Sequence, residues 1–163
     1  MTASRAEIEN VLARHFNRRF CILTNRGTTA LTAALHALDR PASTRALFPA
    51  VMCSIPVFAA RFAGWTPVFA DVNLKDANFD LEAVERVLGE GGVGAVIPVQ
   101  MFGKPDDMEG LAALCLRYKA DLVEDVALSM GAAFHGHQMC IRDRANCGAL
   151  WAGCLPWPRI TQN

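Results

Sequence analysis

The sequence has no long apolar run, no dense cluster of one charge and no paired-cysteine motif. None of its hydrophobic stretches approaches the ~20 residues that a membrane span requires. The first residues, among them Ser4, Arg5, Glu7 and Glu9, hold no apolar signal-peptide core. A cytoplasmic location is the expectation. Sixteen basic side chains balance sixteen acidic ones, giving a net charge of zero. No basic patch is dense enough for a nucleic-acid footprint, and the Arg14, Arg18, Arg19 group reads as the solvated end of a helix. The six cysteines show no CxxC spacing. Cys21, Cys53 and Cys115 lie in apolar surroundings and are expected to be reduced, buried thiols rather than parts of a disulfide framework.

What is present suits one domain with a substantial core. The 163 residues are 52% hydrophobic and only 20% charged, as expected where sheet strands are covered on both faces. Ser4-Arg5-Ala6-Glu7 is a capping box, and it opens a helix on which Ile8, Val11, Leu12 and Phe16 share a face. Residues 20–23 are expected as a first strand, followed by a Gly-bearing turn and an Ala/Leu helix over 30–38. A second strand covers 46–49. Ser54 then opens a helix carrying Val57, Phe58 and Phe62, stopped at Gly64. Strands over 66–72 and 93–99 flank a helix capped by Asp80, with Leu81, Val84, Val87 and Leu88 on one side. Asp106 or Asp107 begins a helix with Met108, Leu111, Leu114 and Cys115, leading to a last strand at 120–125. This alternation implies an α/β fold, a mostly parallel sheet with helices on both faces.

Two features carry chemistry. Gly27-Thr28-Thr29 stands at a turn before a helix, where unpaired N–H groups face an anion; an ordinary helix start would read the same. Asp125 ends the last strand, and the carboxyl edge of an open α/β sheet is where ligands sit. Glu124 and Asp125 could equally do no more than cap the strand. Taken together, an anion site and a carboxylate suit a ligand with a phosphate at one end and a basic ring nitrogen at the other. Pyridoxal phosphate has that shape. Gly89-Glu90-Gly91-Gly92-Val93-Gly94 matches GxGxxG but precedes a strand instead of following one, so a dinucleotide site is discarded. Cys140, Cys147 and Cys154, with His135 and His137 upstream, have even six-residue gaps that match no usual zinc pairing, and no metal is expected.

The stretches around these features resemble the DegT/StrS-type sugar aminotransferases, pyridoxal-phosphate enzymes of the aspartate-aminotransferase fold type. In the family's order they are Gly27-Thr28-Thr29-Ala30-Leu31, then Pro49 with Gly64-Trp65-Thr66-Pro67-Val68-Phe69-Ala70-Asp71-Val72. Next come Ile97-Pro98-Val99-Gln100-Met101-Phe102-Gly103, and last Glu124-Asp125-Val126-Ala127 with Ser129 and Gly131-Ala132. The resemblance implies that Gly27, Thr28 and Thr29 anchor the phosphate, that Asp125 partners the pyridine nitrogen, and that Ser129 lies near the cofactor. It further implies a homodimer that aminates a keto-sugar or keto-cyclitol from glutamate or glutamine.

Three departures accompany it. Cys53 lies near the position where many members stack an aromatic ring on the cofactor, and a thiol is a weaker platform. Leu128 stands where Gln or His is common. The family's Schiff-base lysine lies downstream of the Glu-Asp motif, whereas Lys75, Lys104 and Lys119 all precede it and no lysine follows Asp125. No catalytic residue is therefore assigned within this sequence. Residues 1–138 are expected to be part of a cofactor-binding large domain in an N-terminal fragment. Residues 139–163, which show neither helical spacing nor strand alternation, are expected to be a tail foreign to the fold. Alone, the chain is expected to be inactive as a transaminase. A pyridoxal-phosphate sugar dehydratase, with histidine replacing the lysine, fits the same resemblance, as does a non-catalytic binding or regulatory protein of the same fold.

Overall fold

The computed structural model describes residues 3–16, 18–129, 133–134, 137–138 and 147–150. At its centre are five parallel strands: β1 (Arg45–Pro49), β2 (Thr66–Ala70), β3 (Val93–Val96), β4 (Asp121–Asp125) and β7 (Cys147–Leu150). Their spatial order is β2-β1-β3-β4-β7. An antiparallel ribbon of β5 (Ala133–Phe134) and β6 (His137–Gln138) lies between β4 and β7 in the chain.

Side chains along a strand leave by alternate faces. Phe48, Ile97 and Val123 leave by one face and pack with α2 (Gly27–Ala37) and α3 (Ile55–Phe62). Leu47, Val96 and Leu122 leave by the other, toward α4 (Leu81–Gly89) and α5 (Met108–Tyr118). All six are at most 2% exposed, and each such burial stabilises the fold by about 1.5–3 kcal/mol. With both faces covered, the strands read as continuous apolar runs.

Helix starts follow the sequence signals. Ser4 and Glu7 exchange the two bonds of a capping box at α1 (Arg5–His15). Asp80 Oδ1 accepts from the N–H groups of Glu82 and Ala83, and Asp107 Oδ1 from that of Gly110. Gly64, at φ +80°, follows α3.

Elsewhere the structure corrects the expectation. Residues 20–23 are extended chain outside the sheet. Leu23 N–H donates to Glu9 Oε1 at 2.8 Å, and Leu23 O accepts from Arg5 Nη2, so α1 side chains take both groups that a neighbouring strand would use. The apolar stripe of α1 is mostly open: Ala13 is buried, but Ile8 and Val11 are exposed. In α3 the expected face is turned outward, with Phe58 and Phe62 exposed and Pro56, Ala59 and Ala60 buried. Here α2 and α3 meet through Ala30, Ala34, Ala59 and Ala60, and small side chains permit the close approach that aromatic rings would block. Thr32 Oγ1 adds a bond to Ala59 O at 3.2 Å. Cys53 is exposed because it lies in the connection from β1 to α3, whereas Cys21 and Cys115 are buried. One strand of the sheet, β7, lies beyond residue 138, paired with β4 from Leu122↔Cys147 to Asp125↔Leu150. A strand of four residues is too short to show a clear alternation. Gly131, Ala132, His135, Cys140 and Cys154 fall outside the described residues, and of His137 and Cys147 only the backbone is described.

Two loops on the α4/α5 side are joined through buried polar groups. Asn78 Nδ2 donates to Pro105 O at 2.8 Å, while Asp106 accepts from Phe79 N–H and from Asp107 N–H. Burial raises the Asp106 pKa from 3.8 to about 7 against these two bonds, with Asp76 and Asp107 adding repulsion. Between those values the folded chain keeps a proton that the unfolded chain has released, so this group's contribution to stability falls as pH rises through the window. Relative to Asp106→Asn, which cannot ionise, the wild type should lose stability from pH 3.8 to about pH 7. Urea midpoints of the two proteins across that range check this; parallel curves would contradict it. A second expectation concerns Gly94, where an added Cβ would collide with Thr44 Cγ2 and lie 3.1 Å from Trp65 Cζ3. Gly94→Ala should cost about 1–3 kcal/mol, read as a lowered urea midpoint at constant m-value.

Candidate functional site

The start of α2 is open. Arg26 is its N-cap in extended backbone, and no side chain caps the helix. Ala30 N–H already bonds Arg26 O at 3.1 Å, which leaves the N–H groups of Gly27, Thr28 and Thr29 directed out of the first turn. The helix dipole adds partial positive charge there. Thr29 Oγ1 donates to Asn25 Oδ1 at 2.9 Å, so its hydroxyl proton is already committed. The Thr28 hydroxyl has no partner among the described residues. Ahead of this turn, the Arg5 and Glu9 clamp on Leu23 fixes the incoming chain. That clamp also holds the Glu9 carboxyl below its ordinary range, chiefly through the Leu23 N–H.

The far end of α2 is pinned to the sheet. Arg40, three residues past the helix, bonds Asp121 Oδ2 through Nη2 at 2.7 Å and Nε at 3.1 Å, and its Nη2 also reaches Lys119 O. Asp121 is the first residue of β4. A helix of 11 residues is about 16 Å long, close to the length of a five-residue strand at about 3.3 Å per residue. With its C-terminal end held at the start of β4, α2 runs back along the strand and opens at the edge where β4 ends. Asp125 is at that edge.

The two also share a face. Val123 belongs to the same buried cluster as Ala30 and Leu31 of α2, and Asp125, two residues on, leaves β4 by the same side. Its backbone is held by Pro98 O at 3.0 Å from its N–H, and its carbonyl accepts from Gln100 N–H at 3.4 Å. Asp125 Oδ1 accepts from Ala127 N–H at 3.1 Å. Oδ2 has no partner among the described residues. Burial raises the Asp125 pKa, and the Ala127 bond opposes that rise. This is a carboxylate set up to gain from a cation.

Gly27, Thr28, Thr29 and Asp125 are thus brought to one corner of the sheet. Ser129 is placed differently: it is 2% exposed, and its hydroxyl donates to Gln100 Oε1 at 2.5 Å. Cys53 and Leu128 are both exposed. Two contributors were given no role in the sequence reading. Arg40 gave no local signal, because its partner lies 81 residues away. Gln100 was legible only as a polar residue closing the apolar run 93–99.

Chemically, an uncapped helix start can hold an anion and a carboxylate with an unpaired oxygen can hold a cation. Residues 3–150 match the sequence profile of the DegT/DnrJ/EryC1/StrS aminotransferase family. The chain belongs to this family. A Pseudomonas aeruginosa UDP-2-acetamido-2-deoxy-3-oxo-D-glucuronate aminotransferase is 26% identical over 145 residues, covering 89% of this chain and 40% of that protein. A Geobacillus stearothermophilus pleiotropic regulatory protein is 33% identical over 135 residues, covering 80% of this chain and 35% of its own length. The crystal structure of Bacillus subtilis NtdA with its bound cofactor PMP aligns with a TM-score of 0.77 at 26% identity, over 83% of this chain and 31% of NtdA. The chain therefore spans two fifths or less of each of these relatives. As a member of the family it has the parallel-sheet fold of fold-type I pyridoxal-phosphate enzymes.

The Arg40–Asp121 pair, 23% and 4% exposed in its side chains, should be felt when broken. Arg40→Ala removes charge-assisted bonds from a buried carboxylate and should cost about 1.5–3 kcal/mol. Chemical denaturation measures this, and a loss below about 0.5 kcal/mol, the range of an ordinary surface change, would show that α2 is held in place by its apolar face alone.

Proposed function

We propose that the whole protein is a pyridoxal-phosphate-dependent aminotransferase that carries an amino group from glutamate or glutamine to a keto-sugar or keto-cyclitol. In this reading residues 1–138, together with the β7 segment paired to β4, are the first part of its cofactor-binding domain. The observation that carries it is the shared corner: an uncapped helix start and a half-buried acid on one edge and one face of the sheet. Family membership supports the activity, and the acceptors named for relatives support a keto-sugar.

Bound there, pyridoxal phosphate supplies an electron-accepting ring for the carbanion that amino transfer requires. The amides of Gly27, Thr28 and Thr29 and the Thr28 hydroxyl hold the phosphate, with the helix dipole adding to their pull. Asp125 Oδ2 accepts from the protonated ring nitrogen and keeps that proton in place. Ser129 acts from behind Asp125. Lys119 precedes β4 at the opposite edge of the sheet, and Lys75 and Lys104, exposed in loops leading to α4 and α5, also precede the Glu124-Asp125 motif, whereas the family resemblance sets the Schiff-base lysine after it. The amine that shuttles the proton is therefore assigned to a lysine outside this sequence.

We further place the protein in the cytoplasm as a homodimer acting on small molecules. Among the described residues no helix is long and apolar enough to cross a membrane. Exposed Phe58, Phe62 and Phe69 offer an apolar surface for a second copy to cover.

In the whole protein, glutamate and a nucleotide-linked keto-sugar should give 2-oxoglutarate and an amino-sugar, followed by mass spectrometry. Loss of a sugar hydroxyl with ammonia release would instead assign a dehydratase. No reaction with any keto-sugar would overturn the proposal. At the site itself, Thr28→Glu sets a carboxylate where the phosphate belongs. It should weaken pyridoxal-phosphate binding at least tenfold, about 1.4 kcal/mol, by equilibrium titration.

A further inference from the structure

Gln100 is 1% exposed, with both ends of its amide engaged. Nε2 donates to Glu124 Oε1 at 2.7 Å, and Oε1 accepts from Ser129 Oγ at 2.5 Å. Glu124 and Ser129 are themselves buried. The Gln100 backbone N–H reaches Asp125 O at 3.4 Å. One residue thus touches the chain immediately before Asp125, at Asp125 and at the end of the turn after it. That turn is closed by Ser129 N–H on Val126 O at 3.1 Å, and its Ala127 N–H holds Asp125 Oδ1.

The chemistry of the position is restrictive. A carboxylate such as Glu124 only accepts, and the Ser129 hydroxyl here donates, so the group between them must donate on one side and accept on the other. A primary amide does both, and turning it over would set its oxygen against the carboxylate. The network also lies behind the site. Gln100 and Glu124 leave the sheet by the face opposite Val123 and Asp125, and Gln100 Nε2 lies 3.7 Å from Met108 Sδ of α5.

We propose that Gln100 is a positioning residue for Asp125. Through Ser129 it fixes the turn 126–129, whose Ala127 N–H holds one carboxylate oxygen, and so aims the other oxygen at the cofactor's ring nitrogen. The inference rests on the cofactor reading above.

The test titrates the full chain with pyridoxal phosphate and, separately, with inorganic phosphate, in the wild type, Gln100→Leu, Ser129→Ala and Asp125→Asn. In the cofactor complexes, absorbance against pH reports protonation of the ring nitrogen. Loss of the Gln100 link should weaken pyridoxal-phosphate binding about tenfold, as for one buried hydrogen bond. It should leave phosphate binding unchanged and move the ring-nitrogen midpoint to lower pH. Should Gln100→Leu fail to fold, Ser129→Ala, which deletes a single hydroxyl, decides. Equal losses for both ligands, or a loss without the pH change, would reduce Gln100 to a general structural role and overturn the proposal. A loss in Asp125→Asn with none in Ser129→Ala would overturn this inference alone. No loss in Asp125→Asn would overturn the cofactor reading and this inference with it.

Discussion

Each strand of a parallel sheet presents its side chains to the two faces by turns, and β4 uses that alternation to separate a site from its support. Val123 and Asp125 leave by the α2 side, one sealing the helix against the sheet and the other ending at the open corner. Leu122 and Glu124 leave by the α5 side, where an apolar contact gives way to the hydrogen-bonded link through Gln100. A shift of one residue in register would exchange the two sets. Asp125 would then be buried among α4 and α5 side chains and Glu124 would face the helix start. The pairing of β4 with β3 through Ala95↔Asp121 and Val96↔Leu122 is therefore what makes the corner.

Direction matters as much as register. An 11-residue helix nearly matches the strand it lies along, so reversing α2 would carry its amides to the opposite edge. Arg40 opposes that reversal by tying the end of the helix to Asp121, the first residue of the strand that Asp125 closes. The two ends of β4 thus bear opposite duties. Asp121 is neutralised by a guanidinium, while Asp125 keeps one oxygen unpaired and has its pKa raised by burial. A buried carboxylate without a cation is costly, and one that meets a protonated ring nitrogen recovers that cost as affinity. On the proposed reading, the burial that raises the Asp125 pKa and a preference for a cationic ring would have one cause.

The fold was legible because its signals are local. Ser4, Asp80 and Asp107 open their helices through side chains only two or three residues away, and the apolar runs of β1, β3 and β4 mark strands covered twice. Non-local competition decided what was misread. Residues 20–23 have strand composition, but Arg5 and Glu9 take the Leu23 backbone groups first. The α3 rings looked like a core face until the alanines of α2 set the helix spacing. β7 is too short and too apolar for a periodic signal. At the site, Gly27, Thr28, Thr29 and Asp125 could be named from position along the chain and joined as one expected ligand site, but what sets them on one corner could not be read there. Their placement depends on Arg40 reaching across to Asp121 and on the parity of β4, both settled by tertiary structure. Ser129 was named for its place beside the acid, and its hydroxyl proves to be turned inward to Gln100.

The two devices proposed at the corner would be indifferent to what is being aminated. Backbone amides at a helix start hold any phosphate of the right charge, and a buried carboxylate holds any protonated ring nitrogen. Neither touches the atoms that would distinguish one keto-sugar from another. Relatives as different as a sugar aminotransferase and a regulatory protein can therefore share this portion of the chain, because a fold and its anchoring groups do not by themselves choose a reaction. The choice falls to whatever approaches the ring from the open side. On the proposed reading that approach would come from a lysine following the Glu124-Asp125 motif, since Lys75, Lys104 and Lys119 all precede it. Holding the ring and choosing the reaction would then be separate tasks, and the acid on β4, with the Gln100 link behind it, would belong to the first.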